Sequence, residues 1–241
     1  RMISVNKANI NPNRMIVGSH LDADSLNISQ PLPSKPINSK KSSKSPRKNK
    51  HKSMKDTNVH TIPTLGNMIA DAMRDAVIDK GYTIALANSG GIRASLDAGD
   101  VTLGEVMTIL PFQNTLSTFK VTGKQLLTAI ENGVSEVEDV AGRFPQVSGM
   151  RFTFDASKPA NGGRVTSIEI DEDGSWMPLD LNKTYGMVSN NFIRGGGDGY
   201  KVFRSASDIY DFGPDLAEVV ADYIGANPGY SGYTDGRIKQ N

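Results

Sequence analysis

The sequence predicts an α/β (α+β) fold, a mixed β-sheet flanked by helices, and three observations lead there. Apolar residues recur at helical spacing in residues 65–77, 124–133 and 214–226. Short runs of strand character lie between them, at 83–87, 117–121, 150–154, 164–170 and 184–189. The two kinds intersperse without strict alternation, the pattern of helices laid on a mixed sheet. A chain of 241 residues with 37% hydrophobic content can supply the core of one such domain, and no internal repeat is visible.

The elements follow from local chemistry. Leu65, Ile69, Ala72, Met73, Ala76 and Val77 share one helical face, with Thr64 placed to cap it and Gly81 to stop it. The run 83–87 reads as a short buried strand ending in the glycine turn Asn88-Ser89-Gly90-Gly91-Ile92-Arg93. Thr102 can cap a short helix through Leu103, Val106 and Met107, closed by Pro111. Residues 117–121 alternate as a strand before the helical spacing of 124–133. Two further strands follow at 150–154 and 164–170, the second ending at Asp171-Glu172-Asp173-Gly174. The strand at 184–189 leads into Asn190-Asn191-Phe192-Ile193-Arg194 and the glycine run Gly195-Gly196-Gly197-Asp198-Gly199. A final amphipathic helix turns Leu216, Val219, Val220, Tyr223 and Ile224 inward.

Charge divides the chain. Lys plus Arg number 27 against 26 Asp plus Glu, a net of +1, yet nine basic and no acidic side chains lie between positions 35 and 55. The rest, with 18 basic against 26 acidic groups, carries −8. Residues 31–57, with Pro31, Pro33, Pro36 and Pro46 among lysines and serines, read as a disordered basic insert, because they offer too little apolar area to offset ordering entropy. Residues 1–30 read as a linker or first strand around Met15-Ile16-Val17, and 58–241 as the ordered domain. No aromatic side chain lies between Pro31 and His60 to stack on a base, so a nucleic-acid partner is not expected of the insert. No run of about 18 apolar residues is present, which argues against a membrane-spanning helix. The start, Arg1-Met2-Ile3-Ser4-Val5, lacks the layout of a signal peptide. Zero cysteines exclude disulfides and thiolate chemistry.

Candidate chemistry concentrates in two glycine-rich turns. The first offers an amide, Asn88, beside a guanidinium, Arg93, able to grip an anion; it has neither a Walker ending nor a dinucleotide fingerprint, and an ordinary tight turn is the plain alternative. In the second, Asp198 could accept hydrogen bonds from vicinal sugar hydroxyls, against the plain reading of a flexible connection. Phe112 and Phe192 sit at element ends, where they could present exposed faces to a planar ligand or simply join the core. The histidines, His20, His51 and His60, all precede the ordered body, and His20 with Asp22 and Asp24 reads as a loop more readily than as a metal cluster. No G-x-S-x-G elbow is present, so the chain shows no complete hydrolytic apparatus.

Five motifs nonetheless fall in order: Leu65-Gly66-Asn67-Met68-Ile69-Ala70-Asp71-Ala72-Met73, the Asn88 to Arg93 turn, Leu110-Pro111-Phe112, Gln146-Val147-Ser148-Gly149, and Asn191-Phe192 with Gly196-Gly197-Asp198-Gly199. Together they resemble the C-terminal, substrate-binding domain of the 5'-nucleotidase family. The resemblance implies a phosphohydrolase that converts nucleoside 5'-phosphates to nucleosides and phosphate. Its two divalent metals would sit on an N-terminal metallophosphoesterase domain, leaving no catalytic or metal-binding residue in this chain. It also implies roles: Phe112 and Phe192 sandwich the base, Asn88 bonds its edge, Gly91 lines the site, Arg93 holds the ribose and phosphate side, and Asp198 accepts from the ribose hydroxyls. Periplasmic, cell-surface or extracellular placement is implied in the same way. One departure stands out, since Thr61-Ile62-Pro63-Thr64 occupies the place of a further ligand-clamping arginine. The alternatives are a non-catalytic nucleotide-binding or surface interaction module, or the same architecture acting on cyclic nucleotides or nucleotide sugars.

Overall fold

The computed structural model describes residues 2–4, 64–96 and 99–241. The strand expected at 15–17, the basic insert and the three histidines lie outside the described residues. In chain order the elements are β1 (Met2–Ser4), α1 (Thr64–Asp75), β2 (Ile84–Asn88), β3 (Asp100–Thr102), α2 (Leu103–Ile109), β4 (Leu116–Thr122), α3 (Gly123–Gly133), β5 (Pro145–Ser148), β6 (Met150–Phe154), β7 (Val165–Glu172), β8 (Ser175–Pro178), β9 (Thr184–Asn190), α4 (Asn191–Arg194), β10 (Ser207–Tyr210), α5 (Leu216–Ala226) and β11 (Ile238–Gln240). The mixed class is as expected, but the strands divide over two main sheets. One has the order β10-β4-β9-β2-β5, the other β11-β6-β7-β8, and β1 pairs with β3. At the centre of the first sheet β2 runs parallel to β9, with Leu86 opposite Ser189, while β4 and β5 flank them antiparallel.

Both faces of that central sheet are buried. Ala85, Ala87, Leu116 and Val188 point into a core shared with α1, α2 and α5. Ile84, Leu86, Phe119, Val121 and Met187 point into a second core with α3 and with the other sheet's Phe152, Phe154, Ile168 and Ile170. A strand covered on both sides reads as a continuous apolar run, as 84–87 does. This corrects the expected alternation of β4, in which Leu116, Ser117, Thr118, Phe119 and Val121 are all buried. The fully buried Phe119, Phe154 and Phe203 each contribute about 1.5–3 kcal/mol of transfer free energy.

Helix ends depend on side-chain chemistry legible in the sequence. Thr102 and Glu105 form a capping box at α2, and Thr122 and Gln125 do the same at α3. Asp215 caps α5 by accepting from Ala217 and Glu218. Three expectations change. Helix α1 ends at Asp75 rather than at Gly81, which instead closes a short 3-10 turn, Ile78–Lys80, in left-handed conformation (φ 83°). Met107 is exposed, so the inward face of α2 is Val106 and Ile109. The turn at Asp173-Gly174, both with positive φ, leads into the unexpected hairpin strand β8.

Gly149 joins the two sheets, directly between β5 and β6. Its φ is 73°, and a Cβ there would overlap the carbonyl oxygen of Thr83. Gly163 has a similar φ of 88° with open space around it. Gly149→Ala should therefore destabilise the protein by more than ~2 kcal/mol, because strain and a backbone clash add, whereas Gly163→Ala should cost about 1 kcal/mol. Urea denaturation of the two variants side by side checks the ordering.

Candidate functional site

The parallel pairing of β2 and β9 delivers two asparagines to the same edge of the sheet, Asn88 at the end of one strand and Asn190 at the end of the other. In open sheets with parallel strands, ligands bind beyond the carboxyl ends of those strands. Both side chains are buried, at 4% and 1% exposure, so their amides need partners. Asn190 Nδ2 donates to Asn88 Oδ1 at 3.0 Å, and Asn88 Nδ2 donates to Asp198 Oδ2 at 2.6 Å. Sequence positions 88 and 198, read separately from two glycine turns, thus meet directly.

Each turn has a built shape. After Asn88 the chain makes a 3-10 turn over Ser89–Gly91, and Gly90 passes so close to Gly142 that a Cβ on Gly90 would lie 2.9 Å from the Gly142 Cα. The Gly90 N–H donates to the Gly142 carbonyl at 2.8 Å. A side chain at Gly91 would press on Asn88 Oδ1. Around Asp198, Gly196 and Gly199 have positive φ, and Asp198 itself is left-handed at φ 48°, a conformation aspartate tolerates better than most residues. Asn132 Nδ2 on α3 ties this turn down by donating to the Asp198 main-chain carbonyl at 3.1 Å. Tyr200 follows, fully buried, donating its hydroxyl to the Arg143 carbonyl at 2.7 Å. Burial, with the charge of Asp198 adding to it, pushes that hydroxyl well above its usual pKa, so it stays a donor.

Two exposed phenylalanines lie on neighbouring segments. Phe192 lies on the single turn of α4, which Asn190 caps by accepting from Ile193 N at Oδ1, 2.8 Å away. The ring is 49% exposed and its tip rests on Gly197, where a Cβ would come within 2.5 Å of it. Phe112, 57% exposed, lies in the α2–β4 connection. That connection meets α4 through the Asn191 N–H donating to the Thr115 carbonyl at 2.9 Å, which sets both aromatic segments at one end of the sheet. Arg93 joins them: its main-chain N–H donates to the Ile109 carbonyl at 2.8 Å, and its guanidinium carbon lies 5.9 Å from the Phe112 ring centroid. A small recess beneath Asn88 and Asn190 is lined largely by core side chains, among them Ile69, Ile92, Leu110 and Leu216, and by none of Arg93, Phe112, Phe192 and Asp198.

The remaining motifs support the first turn from behind. Gln146 donates to the Ser89 hydroxyl at 2.8 Å, and that hydroxyl donates to the Phe144 carbonyl at 2.9 Å. Gly66 on α1 leaves the room that Gln146 fills. Contacts link Asn88 with Gly91 and Asp198, Phe192 with Gly197 beside Asp198, and Arg93 with Phe112. Sequence reasoning missed Asn190, Asn132 and Gly142; an asparagine directly ahead of Asn191-Phe192, at a strand-to-helix junction, was the one available signal. Among the described residues no group of three or more His, Cys, Asp and Glu side chains could hold a metal ion, so these residues do not fit a two-metal centre.

A family model described as 5'-nucleotidase, C-terminal domain, matches residues 37–205. The chain belongs to the 5'-nucleotidase C-terminal domain family. Over 166 residues it is 45% identical to the trifunctional nucleotide phosphoesterase protein YfkN of Bacillus subtilis, covering 68% of this chain and 11% of that protein. It is 31% identical over 183 residues to the NAD 5'-nucleotidase of Haemophilus influenzae, covering 72% and 30%. The crystal structure of a 5'-nucleotidase precursor from Thermus thermophilus superposes with a TM-score of 0.71 at 46% identity, covering 73% of this chain and 35% of that one. The chain thus spans about a third or less of the length of these relatives.

As a member of this 5'-nucleotidase domain family the chain places its buried amides where truncation should be felt. Asn88→Ala removes two hydrogen bonds and leaves the Asn190 amide without its acceptor, so it should lower stability by about 1–3 kcal/mol. Chemical denaturation measures this, and a change within error would mean that the Asn88 bonds contribute nothing net.

Proposed function

We propose that this domain holds the nucleoside of a nucleoside 5'-phosphate for a 5'-nucleotidase-like phosphohydrolase, which releases nucleoside and phosphate. The observation that supports the reading is the direct Asn88–Asp198 contact, with an exposed Phe192 on the turn that carries Asp198 and an exposed Phe112 beside Arg93, in a chain of this family. The rings sandwich the base, since stacking accepts any base. Asp198, an acceptor only when ionised, takes hydrogen bonds from the ribose hydroxyls. Arg93, stacked near Phe112, faces the ribose and phosphate side and supplies positive charge within an otherwise acidic body. Asn88 is largely committed to Asn190 and Asp198, and one amide hydrogen is left for a base edge. Gly91 keeps the space beside it open.

In this reading the chemistry belongs to a metallophosphoesterase domain outside these 241 residues, and its divalent metals supply the activated water. This chain's part is to bind and orient. Closure between the two domains would then carry the phosphate to the metals. Among the described residues no helix is long and apolar enough to cross a membrane. A periplasmic, cell-surface or extracellular setting goes with the reading, since relatives include snake venom 5'-nucleotidases.

The purified chain should bind adenosine in titration calorimetry and hydrolyse no AMP, with or without added metal. Phe192→Ala should weaken adenosine binding about tenfold or more, one stacked face being worth roughly 1–3 kcal/mol. Unchanged affinity removes Phe192 from the site, and metal-dependent turnover by the chain alone overturns the placement of the chemistry elsewhere.

A further inference from the structure

The geometry points to Asn190 as a positioning residue that fixes, through Asn88, which atoms the site offers to the sugar; this rests on the nucleoside-binding reading above. The argument is one of direction. The Ile193 main-chain N–H can only donate, so the Asn190 atom facing it at 2.8 Å is the carbonyl oxygen. Its amide nitrogen then faces Asn88, and since that group can only donate, Asn88 must present Oδ1 to it. The Asn88 amide nitrogen is thereby turned to Asp198 Oδ2. A polarity set by one backbone N–H runs through two buried side chains and ends on the carboxylate, with little solvent access to let either amide flip.

The consequence is chemical. Asp198 receives a donor on Oδ2 and keeps Oδ1 for donors from the ligand, which matches a vicinal diol. Were Asn88 reversed, its oxygen would face the carboxylate and the ionised form would be repelled. The same Asn190 side chain caps α4, so the helix carrying Phe192 and the carboxylate reading the sugar are set by one residue.

Asn190→Asp separates relay from cap. Aspartate caps helices as well as asparagine does, so a residue that only caps would tolerate it. In the relay, however, an acceptor would oppose Asn88 Oδ1. Asn190→Ser keeps the cap with a side chain too short to reach Asn88. The expected result in calorimetry is that the wild-type chain prefers adenosine to 2',3'-dideoxyadenosine about tenfold or more, and that both variants lose most of that preference. Retained preference in Asn190→Asp overturns the relay and leaves Asn190 a cap alone. A ligand-independent arm decides the matter if either variant fails to fold or the wild-type chain binds no nucleoside, an outcome that would sink the functional reading by itself. In 15N-labelled protein, Asp198→Ala should move the side-chain amide resonances of both Asn88 and Asn190. An unmoved Asn190 signal would show that no coupling passes through Asn88.

Discussion

The parallel hydrogen bonding of β2 to β9 is the constraint on which the site depends. Parallel strands end at the same edge of a sheet, and the register that sets Leu86 opposite Ser189 brings Asn88 and Asn190 within hydrogen-bonding reach. Each residue beyond the strand ends inherits its place from that register. The turn after β2 carries Gly91 and Arg93, and the turn after β9 carries Phe192 and Asp198. Because β4 lies antiparallel against β9, with Leu116 opposite Asn190, its start and the Phe112 segment before it come to the same edge. A slip of one residue would exchange the two faces of β2, sending Ile84 and Leu86 toward the helices that Ala85 and Ala87 now meet. The two cores, one lined by alanines and one by larger side chains, make such a slip expensive.

That difference also explains how the helices sit. Helix α1 turns a broad buried face, including Met68, Ile69, Ala72 and Met73, toward the alanine side of β2, where small strand side chains leave room for large helical ones. On the other face Ile84, Leu86 and Phe119 fill the space themselves and meet Leu126, Ala129 and Ile130 of α3. Volume is complementary across each interface, as close packing requires. Helix α3 thereby reaches the site from below, and Asn132 near its end ties down the Asp198 turn.

Much of this was legible in the sequence, and what escaped it has a common cause. The helices announced themselves by spacing and, at α2, by Thr102, whereas the caps Thr122 and Asp215 were not read. The buried central strands announced themselves as apolar runs. Strands β1, β3, β5, β8, β10 and β11 did not, because each is a short segment at a sheet edge or in a two-stranded pair, defined by the neighbour it pairs with rather than by a period of its own. The end of α1 was misplaced because Gly81 supplies a stop signal for the 3-10 turn as well as for a helix. Phe112 and Phe192 were ambiguous between core and surface until their exposure decided it. The place of Asn190 ahead of a helix was a signal for its cap, but its bond to Asn88 could not be read, since it arises from adjacency to a residue 102 positions away.

The strain at Asp198 shows why the polar network is extensive. A non-glycine residue held in the left-handed region costs on the order of 1–2 kcal/mol. Hydrogen bonds to a charged group return roughly 1.5–3 kcal/mol each, and a neutral one about 1 kcal/mol. The bond from Asn88 to the carboxylate and the bond from Asn132 to the main chain together outweigh the strain, so the turn holds its shape without help from a ligand. In the proposed reading, a carboxylate already aimed would lose little conformational freedom on meeting a sugar, and binding would retain the free energy that ordering a loop consumes. Phe192 is settled by the same logic. Its tip lies on Gly197 and its helix is capped by Asn190, so in the proposed reading a base would meet a ring that need not be immobilised first.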